Sequence, residues 1–222
     1  MIAPLHFADA REAADLAAFL ARLIHYDRAA AVRLQAGGGA LAVFGRPPSF
    51  EVLAIRTARL VDEVELDVTV SAGELLEGIE ESAGKAVVPG TVTGPPWTGV
   101  LPPRGGWEPV TGVPGVVALR GAVAAAVAEF RARDEELPEE RRTRAERDRI
   151  GREIWSRTVA GTGLPLRAVH AAQSLGFLPP HEAPVALLAS GPWLRLRTPY
   201  GSIALRTVPM SLTVAPASRH GH

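Results

Sequence analysis

Six histidines, a run of eight carboxylates, a glycine triplet and two tryptophans set among prolines are the residues of this 222-residue sequence with chemistry to offer. Two imidazoles share a metal ion from one helix when they stand four residues apart, and no pair among His6, His25, His170, His181, His220 and His222 has that spacing. Cysteine is absent, which removes thiolate zinc sites, iron–sulfur clusters and thiol nucleophiles together. No metal and no cofactor is expected. Gly37-Gly38-Gly39 lacks the Gly-Lys-Ser/Thr ending of a phosphate loop and leads into a strand, so it reads as a hairpin turn. Ser190-Gly191-Pro192 also leads into a strand, where a nucleophile elbow needs a helix. Asp62, Glu63, Glu65, Asp67, Glu74, Glu77, Glu80 and Glu81 have no basic residue between them, and paired carboxylates can move protons or hold a hard cation. They alternate outward on a strand and occupy the polar face of a helix, so they read as a solvated acidic surface. No catalytic residue is assigned. A hydrolase or transferase with scattered active-site residues stays open, because a triad is defined by geometry and not by spacing.

Two sets of binding residues stand out. Trp97, Arg104 and Trp107 lie in a stretch containing Pro95-Pro96 and Pro102-Pro103. Proline pre-extends the backbone and indole offers a wide apolar face, which suits docking a partner or closing over a ligand. The bland alternative is a long connection anchored to the core by its tryptophans. In the second set, Arg167, His170 and Ser174 follow i, i+3, i+7 on a short helix with Gln173 beside them, so residue types able to reach base edges share a face. Arg195 and Arg197 alternate with Leu194 and Leu196, and Arg206 lies opposite. Three helices followed by a hairpin is the element order of a winged helix-turn-helix. Against that order, residues 160–164 are longer than the usual turn, and the would-be recognition helix carries one arginine.

The elements that must position these residues follow from periodicity and caps. Asp9 with Glu12 three residues on, then Leu16, Phe19, Leu20, Leu23 and Ile24, predicts a helix over 9–26. Strands are expected over 31–35, 40–44, 50–59 and 65–70, the last alternating Leu66, Val68, Val70 inward with Glu65, Asp67, Thr69 outward. Short turns between them imply an antiparallel meander. Ser71 and Glu74 open a second helix. Residues 84–115 hold 7 prolines and 8 glycines, so they form a loop. Helices are expected over 116–133, 139–159 and 165–175, and strands over 184–188, 193–197 and 202–206. Thr198-Pro199-Tyr200-Gly201 joins the last two as a hairpin.

The class is therefore α+β: an N-terminal helix, a four-stranded antiparallel meander and a helix, then a helical C-terminal part ending in a β-hairpin. The segments are 1–82, an α+β layer; 83–115, the Pro/Gly/Trp-rich loop; 116–208, the helical part; and 209–222, a flexible tail. One integrated domain is the alternative division. Hydrophobic residues make up 47% of the chain, so it has the means to build a core. The N-terminus lacks the basic and apolar regions of a secretory signal, and Pro114 and Arg120 interrupt the most apolar stretch, so a cytoplasmic protein with no membrane partner is expected. The 24 basic and 24 acidic residues cancel overall, yet residues 158–222 hold 5 basic and 1 acidic side chain. That is a thin electrostatic footprint for nucleic acid. A non-enzymatic binding or regulatory protein with a protein or small-molecule partner leads, and a winged-helix DNA binder is the alternative.

Overall fold

After β1 (Leu5–His6), the Asp9 carboxylate accepts the Glu12 amide at 3.0 Å and starts α1 (Ala10–Tyr26). Capping one orphan donor in this way fixes where a helix begins. Leu16, Phe19, Leu20 and Leu23 of α1 are buried, as their spacing predicts. The computed structural model describes residues 4–207. The tail expected over 209–222, with His220 and His222, lies outside them.

Four strands follow: β2 (Ala31–Gly37), β3 (Ala40–Gly45), β4 (Leu53–Arg59) and β5 (Leu66–Ser71). The first three run as a meander, with the Gly37-Gly38-Gly39 segment turning β2 into β3. β5 does not continue beside β4 but returns to the far edge of β2, with Val32 opposite Val70. The edge of β4 is occupied by a strand from the other end of the chain, so β5 takes the outer side of β2 and becomes the edge strand. Ser71 caps α2 (Ala72–Glu77), its hydroxyl accepting the Glu74 amide at 3.4 Å. Next, β7 (Lys85–Ala86) pairs with β1 on one side and with β6 (Ile79–Glu80) on the other, in a small sheet against α1.

The proline-rich loop crosses the molecule and contributes β8 (Glu108–Val110) before α3 (Val116–Glu135), α4 (Arg144–Ser156) and α5 (Leu166–Ser174). Helix α4 starts later than its composition predicts. The Thr143 hydroxyl accepts the Glu146 amide at 3.3 Å, and Glu139–Arg141 form a separate 3-10 turn. The chain ends in β9 (Ala186–Ser190), β10 (Trp193–Thr198) and β11 (Gly201–Arg206). Their hairpin turns through Thr198-Pro199-Tyr200-Gly201 as expected. β9 begins two residues after its expected start; Pro184 has no amide to give a ladder.

β11 pairs with β4, setting Ser202 opposite Ile55 and Ala204 opposite Leu53. That seam makes one eight-stranded antiparallel sheet in the order β5-β2-β3-β4-β11-β10-β9-β8. With the helices, it defines the expected α+β class.

The period of two along each strand sorts side chains to two faces. On one, Val32, Leu34, Val43, Leu196 and Ile203 meet α1, α3 and α5 in the main core. Gly45 marks the closest approach of α1, where a Cβ would stand 2.6 Å from a Leu23 methyl. Arg56, on this side, is buried with its terminal nitrogens answered: it donates to Asp15 of α1 at 2.8 Å and to the Tyr200 carbonyl at 2.6 Å, while its Nε has no partner. Helix α4 packs outside α3 and α5, and charges lace it to α3. Arg157 meets Glu129 at 2.6 Å, and Arg133 meets Glu153 at 2.7 Å. Among the described residues no helix is long and apolar enough to cross a membrane.

Candidate functional site

Among the described residues no α-helix covers the other face of the sheet. There Phe44, Leu53, Ile55, Trp193 and Ala204 form a second apolar cluster, and Trp97, Leu101 and Trp107 of the proline-rich loop pack on it. The segment from Pro96 to Trp107 lies across the sheet as a strap. A 3-10 turn over Pro96–Gly99 shapes one end, and the Trp107 indole donates to the Pro103 carbonyl at 3.0 Å at the other. Both indoles are half-buried: each anchors the strap while keeping part of its ring exposed.

A pocket flanks the strap on each side. The first, of about 290 Å³, includes Gln35, Phe44, Thr57, Arg104 and Arg195 in its lining. The second, of about 500 Å³, includes Arg46, Trp97, Arg167, Trp193 and Arg206. The second falls within the size range of small-molecule sites and the first just below it, and the mixture of apolar walls with a few polar groups is the one such sites use.

Arg195 is the unusual group. Alternation along β10 points it to this face, half-buried, with its guanidinium 5.7 Å from the centre of the Trp107 ring. Its Nε is buried and has no hydrogen-bond partner. Burial, and then the charge of Arg197, pushes it below its ordinary value, and no carboxylate acts in the other direction. A cation removed from water without an anion beside it is costly. Arg56 on the helix side also has an Nε without a partner but has its carboxylate, so the missing anion is what distinguishes Arg195 from it. Arg46, Arg104, Arg197 and Arg206 also form no ion pair among the described residues, and Arg206 lies 6.0 Å from the Trp193 ring centre. The surface therefore has cationic capacity left over, next to aromatic faces. Acidic side chains on this side are few: Asp67 is taken by Arg33 at 2.7 Å, and Glu51 stands 3.7 Å from Arg167.

The sequence put Trp97, Arg104 and Trp107 in one reading and Arg195, Arg197 and Arg206 in another; the structure places all six on the same face of one sheet. The winged-helix arrangement is not formed. Every residue of α5 is buried or half-buried, Gln173 Oε1 being enclosed without a partner, so Arg167, His170, Gln173 and Ser174 present no free helix face for a groove. The supposed wing strands lie inside the sheet, β10 between β9 and β11, and β11 between β10 and β4. Arg167 turns toward Glu51, while His170 packs against Trp155 and Phe50. Sequence reasoning missed Arg46, hidden in a turn signal, and Trp193, which read only as a strand residue. The charge imbalance of the C-terminal part was the one signal pointing this way.

Fold and site together describe an α+β protein with helices on one face of its sheet and a strapped, arginine-bearing surface on the other. Residues 1–99 match a family described as a domain of unknown function, DUF8010, and residues 102–210 match a second, DUF8185. The junction of the two matches falls within the strap, and both pockets draw their walls from both segments. No curated protein matches the chain.

Proposed function

We propose that this is a binding protein for a small anionic ligand with a flat apolar body, held under the strap on the open face of the sheet. The carrying observation is Arg195, a half-buried guanidinium with an orphan Nε and no carboxylate. An arginine presents a planar fork of donors that matches carboxylate, sulfonate or phosphate oxygens, and such charge-assisted bonds are about twice as strong as neutral ones. Arg104 supplies further positive charge in the same pocket, Phe44 an apolar wall, and Trp107, 5.7 Å from the guanidinium, an aromatic face for the apolar part. Binding is favoured over catalysis because the lining around Arg195 holds no histidine and no carboxylate to move a proton. The absence of cysteine supports placing this binding protein in the cytoplasm.

Anilinonaphthalene sulfonate, an aromatic anion that brightens on leaving water, is the probe. It should bind at one site, and Arg195→Met should weaken it by about 10- to 100-fold, the scale of one hydrogen bond to a charged group. Trp107→Ala should weaken it as well. Equal binding to the wild type and to Arg195→Met would refute the proposal.

A further inference from the structure

A cavity of about 670 Å³ opens on the far side of Arg167, between α4, α5 and the connection from β3 to β4. Its walls are aromatic. Trp155 stacks on His170 with ring centres 4.4 Å apart, Phe50 meets the same imidazole edge-on at 5.2 Å, and Phe130 lines the opposite side. Phe50 is held there against local preference, because Ser49 and Glu51 on either side of it have φ of 69° and 54°. Left-handed backbone at non-glycine residues is sparsely populated and persists only where the surroundings enforce it.

The polar groups of the cavity are unspent. Burial alone pushes His170 below its ordinary value, with no charged or hydrogen-bonding neighbour contributing, so the ring is neutral near pH 7 and both its nitrogens are free. The Nε of Arg167 is buried without an acceptor.

The floor is kept open by Gly151, buried in the middle of α4. A Cβ there would meet only Phe130 and Trp155, both walls of the cavity, at 3.7 Å, which is ordinary contact. Alanine would fit and would favour the helix, since glycine is among the weakest helix formers. Glycine at this position costs the helix stability and leaves the cavity a methyl group larger.

We propose that this cavity is a second binding site, for a flat nitrogen heterocycle. Stacked rings accept any planar system, but a hydrocarbon lying over them would leave His170 and the Arg167 Nε unpaired. A neutral imidazole offers one donor and one acceptor, and a heterocycle with a donor–acceptor edge answers both. Most of the local charges are already answered, Arg152 being the charged wall without an ion pair among the described residues, so a neutral or singly charged heterocycle fits better than a strongly anionic ligand. Arg147 meets Asp134 at 2.7 Å, Arg167 faces Glu51 at 3.7 Å, and Asp148 has Arg144 at 3.9 Å. The proposal does not depend on the strap site, whose pocket shares no wall with the cavity; the pocket on the other side of the strap shares Glu51 and Arg167.

Calorimetric titration of the full chain with adenine, pterin and nicotinamide tests it. At least one should bind. Gly151→Ala should melt no lower than the wild type yet lose at least about tenfold in affinity, the scale on which one stacked ring contributes. His170→Phe keeps the stacked pair and removes both nitrogens, and should show a similar loss. The proposal is overturned if none of the three binds, if binding survives both substitutions, or if anilinonaphthalene sulfonate bound under the strap abolishes it.

Discussion

Replacing Arg195 with methionine should make the protein more stable in the absence of ligand. The methionine stem keeps the apolar contact with Trp107 and removes the guanidinium whose Nε has no partner. An unsatisfied buried donor costs about 1–3 kcal/mol, and because this side chain is only half-buried the lower end applies, about 1–1.5 kcal/mol. Against that stands the attraction between the guanidinium and the indole, roughly 0.5 kcal/mol at a partly exposed site. The net gain is about 0.5–1 kcal/mol, and at about 2–4 °C per kcal/mol for a chain of this size the melting temperature should rise by about 1–4 °C. Scanning calorimetry at pH 7 in a buffer free of sulfate and phosphate measures it. Adding sulfate should then raise the melting temperature of the wild type more than that of the variant, because only the wild type gains a bound anion. A melting temperature that falls on substitution, with sulfate acting equally on both proteins, would show that Arg195 is a structural residue and refute the argument from its missing partner.

Two further outcomes follow from the helix side of the sheet. Hydrogen bonds from Arg133 hold Glu153 down from 4.5 to about 2, so its contribution to stability is full above pH 4.5 and lost as the pH falls toward 2. Thermal melts across that window should therefore show a shallower acid loss for Glu153→Gln than for the wild type, and identical slopes would contradict the pairing between α3 and α4. Gly45→Ala forces a methyl within 2.6 Å of Leu23, and overpacking of this kind costs about 1–3 kcal/mol, to be read as a lowered urea midpoint with unchanged slope.

Local signals were legible where they were strong and short-range. The Asp9 cap and the leucine spacing of α1 and the Thr198–Gly201 turn each act over a few residues and appear as read, while on β5 the outward Thr69 is buried, contrary to the alternation expected there. Long-range pairing was not legible. Nothing in β4 or β11 alone announces that Leu53 lies opposite Ala204, and β5 goes to β2 only because that pairing exists. Strands β1, β6, β7 and β8, of two or three residues, are too short to carry a period. The site suffered from the same gap. Trp97, Trp107 and Arg195 were each singled out, but it takes the seam between β4 and β11 to bring the strap and β10 onto one surface. Arg46 sits in a turn, where composition hides which way a side chain points, and Phe50, expected to open a strand, lies in the connection before β4.

The same seam sets a schedule on folding. Strand β4 is made early in synthesis and its partner β11 last among the described strands, so the edge of β4 stays open while most of the chain is still to come. An unpaired edge beside Leu53 and Ile55 is a template for association with other chains. Contacts between positions so distant along the chain also close slowly, since the entropy of closing the loop is lost before the pairing returns anything. Yield on refolding should fall steeply with protein concentration, and a short peptide carrying the β11 sequence, added early, should raise it by covering that edge.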